Sequence, residues 1–172
     1  MSLKYFLNLL LFSGFLSIFN SCQPTNEKST SLILIRHAEK MIASSNDPQL
    51  STKGWQRANE LVHIFEAVDI DAVYASPYRR TIDTARPLAT AKQLEILQYD
   101  PNKLVSFAQE ILKTHQGETV VIIGHSNTTP QLTNALAGTE YSDLEETEYD
   151  WLYFVEMSPE GTSNVKKLQI QM

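Results

Sequence analysis

The 172-residue chain has a single cysteine, Cys22, only six glycines and only four histidines. One thiol excludes an intrachain disulfide framework and any metal cage built on paired cysteines. It also removes the zinc-deaminase reading of His37-Ala38-Glu39, which needs a Pro-Cys-x-x-Cys partner. Neither GxGxxG nor GxxxxGK[ST] occurs, so the phosphate loops of dinucleotide and Walker-type nucleotide sites are missing. No GxSxG elbow is present either, which argues against a serine hydrolase. The formal net charge of −6 leaves no broad basic footprint for nucleic acid. A cationic pocket inside an acidic protein remains open, because a site is local and net charge is global. What is present is ordinary globular composition, 42% hydrophobic and 20% charged, without repeats or low-complexity segments.

Only one long apolar run occurs. Tyr5 to Phe19 carries no charge and follows a single cation, Lys4. A run of about 15 residues suits the core of a signal peptide, whereas a membrane-spanning helix wants about 20. Small Ser21 precedes Cys22, and a polar stretch follows from Gln23. This looks like a bacterial lipoprotein signal, in which Cys22 is lipidated and becomes the mature N-terminus; Phe19 stands where the usual pattern prefers Leu. The chain thus divides into a signal peptide (1–21), a tether (22–30) and one domain (31–172), long enough for a single core. The expected address is extracytoplasmic, lipid-anchored to a bacterial membrane.

From residue 31 onward strands and helices alternate. Ser31–Arg36 reads as a buried strand, followed by a polar loop to Pro48. A helix starts at Ser51 or Thr52, both good caps, with Leu61, Ile64, Phe65 and Val68 at helical spacing. Ala72–Ala75 is a short strand. Arg79 to Ala91 is helical, with a break expected at Pro87. Leu94–Tyr99 is a third strand, and Asn102 opens a helix with an apolar face through Leu104, Ala108 and Ile111. Thr119–Ile123, rich in β-branched residues, is a central strand. A helix covers Thr129 to Ala137, and Trp151–Met157 with Asn164–Gln171 forms a closing hairpin. The alternation predicts a three-layer α/β/α fold, its sheet mostly parallel with an antiparallel C-terminal edge. His63 and His115 are expected on the surface, Trp55 and Trp151 in packing, and Arg79 as a solvated neighbour of Arg80.

Three of the strands end in polar groups: Arg36-His37, Ser76-Pro77 before Tyr78-Arg79-Arg80, and Gly124-His125-Ser126. In a parallel sheet these carboxyl ends share one edge, where α/β folds hold ligands. The residue types suit phosphoryl transfer, in which negative charge spreads over three oxygens and catalysis is largely positioning and charge stabilisation. A guanidinium matches phosphate geometry better than an ammonium does. His37 is the candidate nucleophile: one ring nitrogen must be neutral and aimed at phosphorus while the other is tied by a hydrogen bond. A second, cationic histidine is expected to hold an equatorial oxygen, helped by backbone N–H groups at the helix start after His125.

These segments resemble the histidine phosphatase superfamily, the phosphoglycerate mutase-like fold, over most of the chain from Leu32. Leu34-Ile35-Arg36-His37-Ala38-Glu39 matches its opening Arg-His motif, and Leu50-Ser51-Thr52-Lys53-Gly54 the next helix start. Ser76-Pro77-Tyr78-Arg79-Arg80-Thr81-Ile82-Asp83-Thr84-Ala85 is similar to Ser-Pro-Leu-x-Arg-Ala-x-Gln-Thr-Ala, in which register the phosphate-binding arginine is Arg80. Gly124-His125-Ser126 matches the second histidine. The resemblance implies that His37 is phosphorylated and then hydrolysed, that Arg36, Arg80, His125 and Ser126 bind the phosphate, and that neither metal nor cofactor is needed. It further implies a carboxylic acid for the leaving group. Asp100 is the nearest candidate, Glu95 a lesser one, and Glu145, Glu146 or Glu148 reach from the late loop.

The function expected is a phosphomonoester or phosphoramidate hydrolase acting on a phosphorylated small molecule or phosphoprotein. The alternative is a non-catalytic phosphate-recognising or scaffold lipoprotein of the same fold. A mutase is disfavoured by the short chain and the expected address. The signal reading makes one prediction: Cys22→Ser moves the protein from the membrane to the soluble fraction and abolishes incorporation of labelled fatty acid, measured by fractionation and autoradiography.

Overall fold

The computed structural model describes residues 28–42 and 45–170. The expected signal peptide, Cys22 and most of the tether lie outside those residues. In chain order the elements are β1 (Thr30–Arg36), α1 (Thr52–Ile64), β2 (Ala72–Ala75), α2 (Arg79–Ala91), β3 (Ile96–Gln98), α3 (Leu104–Thr114), β4 (Thr119–Gly124), α4 (Thr128–Ala137), β5 (Trp151–Met157) and β6 (Ser163–Gln169). They form one six-stranded sheet in the order β3-β2-β4-β1-β5-β6. The first four strands run parallel to one another, and β5 and β6 add the antiparallel edge.

The continuous apolar runs of β1 and β4 have a physical reason: both strands are covered on both faces. Leu32, Leu34, Val120 and Ile122 point to one face and pack with Phe107, Ile111, Leu132 and Leu136 of α3 and α4. Ile33, Ile35, Val121 and Ile123 point to the other and pack with Leu61, Phe65, Ala85 and Leu88 from α1, its C-cap and α2. The strand period of two thus feeds two separate cores across one sheet.

The differences from the sequence reading have identifiable causes. β3 is shorter than Leu94–Tyr99 because its sole partner, β2, has four residues, and the register pairs only Val73 to Ala75 with Ile96 to Gln98. α2 runs unbroken through Pro87; Ala85, Leu88 and Ala89 on either side of it are buried in the core, and that packing outweighs the lost backbone hydrogen bond. α3 starts two residues late because Asp100 Oδ1 accepts the Asn102 N–H (2.9 Å) and makes a turn there. His115 is buried, not on the surface: it caps α3 and lies between Tyr74 Oη (3.0 Å) and Glu118 Oε2 (2.6 Å). Trp55 stands out on α1 at 36% exposure, while Trp151 packs under Lys167 Nζ at 4.1 Å.

The start of α1 fixes the loop that follows the first motif. Ser51 Oγ caps the helix by accepting the Gly54 N–H (3.1 Å), and the Ser51 N–H donates to the Glu39 carbonyl (2.8 Å). Gly54 sits so close to that carbonyl that a Cβ would overlap the Glu39 oxygen. Gly54→Ala is therefore expected to lower stability by about 1–3 kcal/mol, read from the urea midpoint, and to reduce activity by displacing the segment next to His37.

Candidate active site

β1 and β4 are adjacent and in parallel register, with Arg36 opposite Gly124. The His37 N–H donates to the Gly124 carbonyl (2.9 Å), carrying the ladder one residue past the strand. This sets His37 beside His125, ring centroids 5.4 Å apart. Gly124 is required by close approach: a Cβ there would lie 2.7 Å from Thr129 Oγ1 and 3.0 Å from Thr128 Oγ1. β2 ends at Ala75, just before Ser76, and the first turn of α2 brings in Arg80.

His37 Nδ1 lies 2.8 Å from the Ala38 carbonyl oxygen. A carbonyl only accepts, so Nδ1 carries the proton and Nε2 keeps its lone pair. The Ala38 N–H in turn donates to Thr84 Oγ1 (2.9 Å), whose hydroxyl donates to the Arg80 carbonyl (2.7 Å). The ring is thus oriented through the helix that bears Arg80. Burial lowers the His37 pKa to about 3, against the Ala38 hydrogen bond and with the charges of His125, Arg36 and Arg80 adding to the fall. It is a neutral imidazole at physiological pH.

His125 is oriented the opposite way. A guanidinium only donates, so Arg80 Nη2, 3.3 Å from His125 Nδ1, makes that nitrogen the acceptor. Nε2–H then donates to Ser76 Oγ (2.8 Å), which donates to Thr81 Oγ1 (3.0 Å). Burial, then the cations Arg80, Arg36 and Lys40, lower its pKa to about 4, with Asp47 opposing. The expectation of a cationic second histidine is therefore corrected for the free site: burial, with three nearby cations, keeps His125 neutral.

Each of these two arginines lies on a tyrosine ring, and each tyrosine neighbours a histidine. Arg36 Cζ is 4.1 Å from the Tyr149 ring centroid and Arg80 Cζ is 4.6 Å from that of Tyr78. Tyr149 is 6.1 Å from His37 and Tyr78 is 5.1 Å from His125, between ring centroids. Arg36, 1% exposed, donates from Nη1 to the Glu145 (2.6 Å) and Glu148 (2.8 Å) carbonyls. Arg36 Nε and Arg80 Nε are buried and have no hydrogen-bond partner among the described residues. Orphan donors on buried cations cost free energy unless a ligand answers them.

Both arginines and both histidines line one pocket of about 270 Å³, together with Lys40, Tyr78, Asn102, Ser126, Thr128 and Glu146. α4 begins at its wall, where Thr128 Oγ1 accepts the His125 N–H (2.9 Å), and a helix start favours an anion. Arg79 faces away, with Nη2 on Gln49 Oε1 (3.1 Å). Glu39 is held by Arg57 (2.8 Å) and Lys53 (3.2 Å). Burial works against its ionisation, yet those hydrogen bonds and charges bring its pKa down to about 2. Asp100, the favoured acid in the sequence, does not line this pocket: its exposed carboxylate is spent on the turn at Asn102. Tyr149 and Thr84 were not singled out in the sequence. Only the Thr of the Ser-Pro-x-x-Arg segment carried a signal; Tyr149 is an isolated aromatic in an acidic loop. A larger cavity of about 580 Å³ lies at the opposite sheet edge, beside Lys28, Thr30 and Met157, and no histidine or carboxylate lines it.

The two lowered histidines set a sign for stability. The unfolded chain takes up protons on both below about pH 6.5, while the folded chain refuses them down to about 4 for His125 and about 3 for His37. Stability is full above 6.5 and falls as pH drops through that window. The carboxylate of Glu39 adds its own loss only below about 4.5. The urea midpoint is expected to fall between pH 7 and pH 5, and the His37→Asn/His125→Asn double variant to lose most of that fall.

Residues 32–102 match the family model described as the histidine phosphatase superfamily (branch 1). Phosphoserine phosphatase 1 of Hydrogenobacter thermophilus is 25% identical over a 164-residue alignment, covering 64% of this chain and 78% of that protein. Among solved structures, the protein histidine phosphatase SixA complexed with tungstate aligns with TM-score 0.66 at 16% identity, over 81% of this chain and 96% of that one. A mycobacterial glucosyl-3-phosphoglycerate phosphatase aligns with TM-score 0.71 at 11% identity, over 84% and 100%. At such identities the structural likeness speaks for the fold. Residues 32–102 are thus similar to the histidine phosphatase superfamily (branch 1), and the chain shares its fold with these solved phosphatases.

Proposed function

We propose that this protein is a phosphatase that hydrolyses a phosphomonoester or phosphoramidate through a phosphohistidine on His37. The observation that carries the reading is the pairing of a neutral, oriented His37 with two guanidinium groups, Arg36 buried and Arg80 partly buried, whose buried Nε–H donors have no partner among the described residues. The lone pair on Nε2 attacks phosphorus, the ester P–O bond breaks, and the phosphoryl group passes to the ring. Arg36 and Arg80 stabilise the charge on the equatorial oxygens, with His125 and Ser126 beside them. Water then cleaves the P–N bond and returns the lone pair to Nε2. Supporting the class of activity are the family match and the relative's name, phosphoserine phosphatase 1.

No step uses a metal ion, and the same rate is expected with and without a chelator. The substrate would be a phosphorylated small molecule or phosphoprotein met outside the cytoplasm, on an enzyme tethered through Cys22.

His37→Ala is expected to lower hydrolysis of 4-nitrophenyl phosphate by about 10³-fold or more while leaving the circular dichroism spectrum unchanged. Acid-labile, base-stable label from a ³²P substrate should be trapped on the wild type and absent from the variant. Retained turnover in the variant overturns the mechanism. Phosphate binding without turnover in the wild type would select the scaffold reading instead.

A further inference from the structure

The catalytic pocket does not close at its wall of Asn102 and Asn127. These two residues, with Pro101, also line a second hollow of about 680 Å³ between α3 and α4. It is an open trough, larger than the pocket of about 270 Å³ that faces His37. We propose that the trough binds the polypeptide segment next to a phosphorylated residue, so that the substrate of the site is a phosphoprotein; this rests on the phosphatase reading above.

Length is the first argument. Asn127, Gln131 and Ala135 follow one another at intervals of four residues, which sets them in one stripe along α4. The stripe starts at the catalytic pocket and leads away from it for about 12 Å, at a helical rise of about 1.5 Å per residue. Three or four residues of extended chain span that distance, at about 3.3 Å each. A free phosphoamino acid ends within the catalytic pocket and leaves the trough unused.

The chemistry of the lining is the second. Lys103 is the only charged residue of the trough among the described residues, and its Nζ lies 3.7 Å from Asp100 Oδ2. A leaving group carrying further phosphates would call for free cations here. Apolar surface comes instead from Leu104, Ala135 and Val105, the last of these 67% exposed on the first turn of α3.

The polar part of the lining is mostly carboxamide, which donates and accepts hydrogen bonds as a peptide group does. Asn127 stands at the start of α4, where an asparagine ordinarily caps the helix. Its side chain makes no such bond and is left for a ligand. Asn102 Nδ2 donates to Asp100 Oδ1 (3.1 Å) and Gln131 Nε2 to Asp143 Oδ1 (3.1 Å). That orientation leaves both amide oxygens free to accept peptide N–H groups. Uncharged polar groups beside apolar ones match a chain of ordinary residues. A small molecule is more often held in a cleft that buries most of its surface, which this open trough does not supply.

The test uses nonapeptides with identical uncharged flanks and phosphoserine, phosphotyrosine or phosphohistidine at the centre. Each is set against its free phosphoamino acid and against 4-nitrophenyl phosphate. At least one peptide is expected to exceed its free phosphoamino acid in kcat/KM by about tenfold or more. Ala135→Trp, which fills the trough, and Val105→Asp, which charges it, alter exposed positions outside the catalytic pocket. Both should lower kcat/KM on that peptide by about tenfold and leave turnover of 4-nitrophenyl phosphate within about twofold of wild type. Peptides no better than their free phosphoamino acids overturn the proposal. So does a peptide preference that survives both variants, or an equal loss on all substrates. Calorimetry on His37→Ala reads the trough without turnover: the preferred peptide should bind more tightly than its free phosphoamino acid, and equal affinity overturns the proposal. A wild type as inactive as His37→Ala on every substrate would bring down the phosphohistidine reading instead, while calorimetry with all three peptides still decides what the trough binds.

Discussion

The hydrogen bond from the His37 N–H to the Gly124 carbonyl ties the site together. It extends the β1–β4 ladder beyond the strand and forces two segments far apart in sequence to deliver their histidines side by side. Every later feature depends on that register. Slipping it by one residue would reverse which faces of Leu32–Ile35 and Val120–Ile123 meet their helices. The two cores, one on each face of the sheet, therefore hold the geometry of the pocket as firmly as any polar contact does. The need for close approach explains why residue 124 has no side chain.

The second organising feature is electrostatic. The chain is acidic overall, yet Arg36, Arg80 and Lys40 converge on one pocket with two imidazoles held neutral. Burial and mutual repulsion oppose this arrangement, and the orphan Nε–H groups add to the cost. Tyrosine faces under both guanidiniums offset part of it. So do the carbonyls of the acidic loop, which accept hydrogen bonds from Arg36 Nη1 without occupying its Nε–H. That loop is more than a solvated charge run: it fastens the buried arginine and presents a carboxylate at the pocket mouth.

Much of the fold was legible because the patterns are strong. β2 and α2 fall on the ranges expected, Ala72–Ala75 and Arg79–Ala91, and β1, β4 and the hairpin differ by a residue or two. Buried parallel strands announce themselves by unbroken β-branched runs, and α1 by its Ser51 cap. His37, Arg36, Arg80 and His125 were legible because each sits at a strand end or helix start, and the structure brings all four to one pocket. Asp100 was misplaced for a local reason: an Asp two residues before an Asn makes a turn with it, and that competes with any other use of the carboxylate. His115 looked like a surface residue because helical spacing cannot show that Tyr74 and Glu118 close over it.

The sequence by itself determined the order of strands and helices, the two-sided burial of the sheet and the residue types at its carboxyl edge, since these follow from local pattern and hydrophobic periodicity. Only the tertiary structure decided the protonation states. His37 and His125 are neutral because of what surrounds them, and their tautomers follow from a carbonyl at residue 38 and a guanidinium at residue 80. Tertiary structure also decided which carboxylate lines the pocket, because reaching it depends on how residues 145–149 fold back over Arg36, more than a hundred positions away in the chain. Contacts of that separation leave no periodic trace in a sequence; they exist only once the sheet has closed its register.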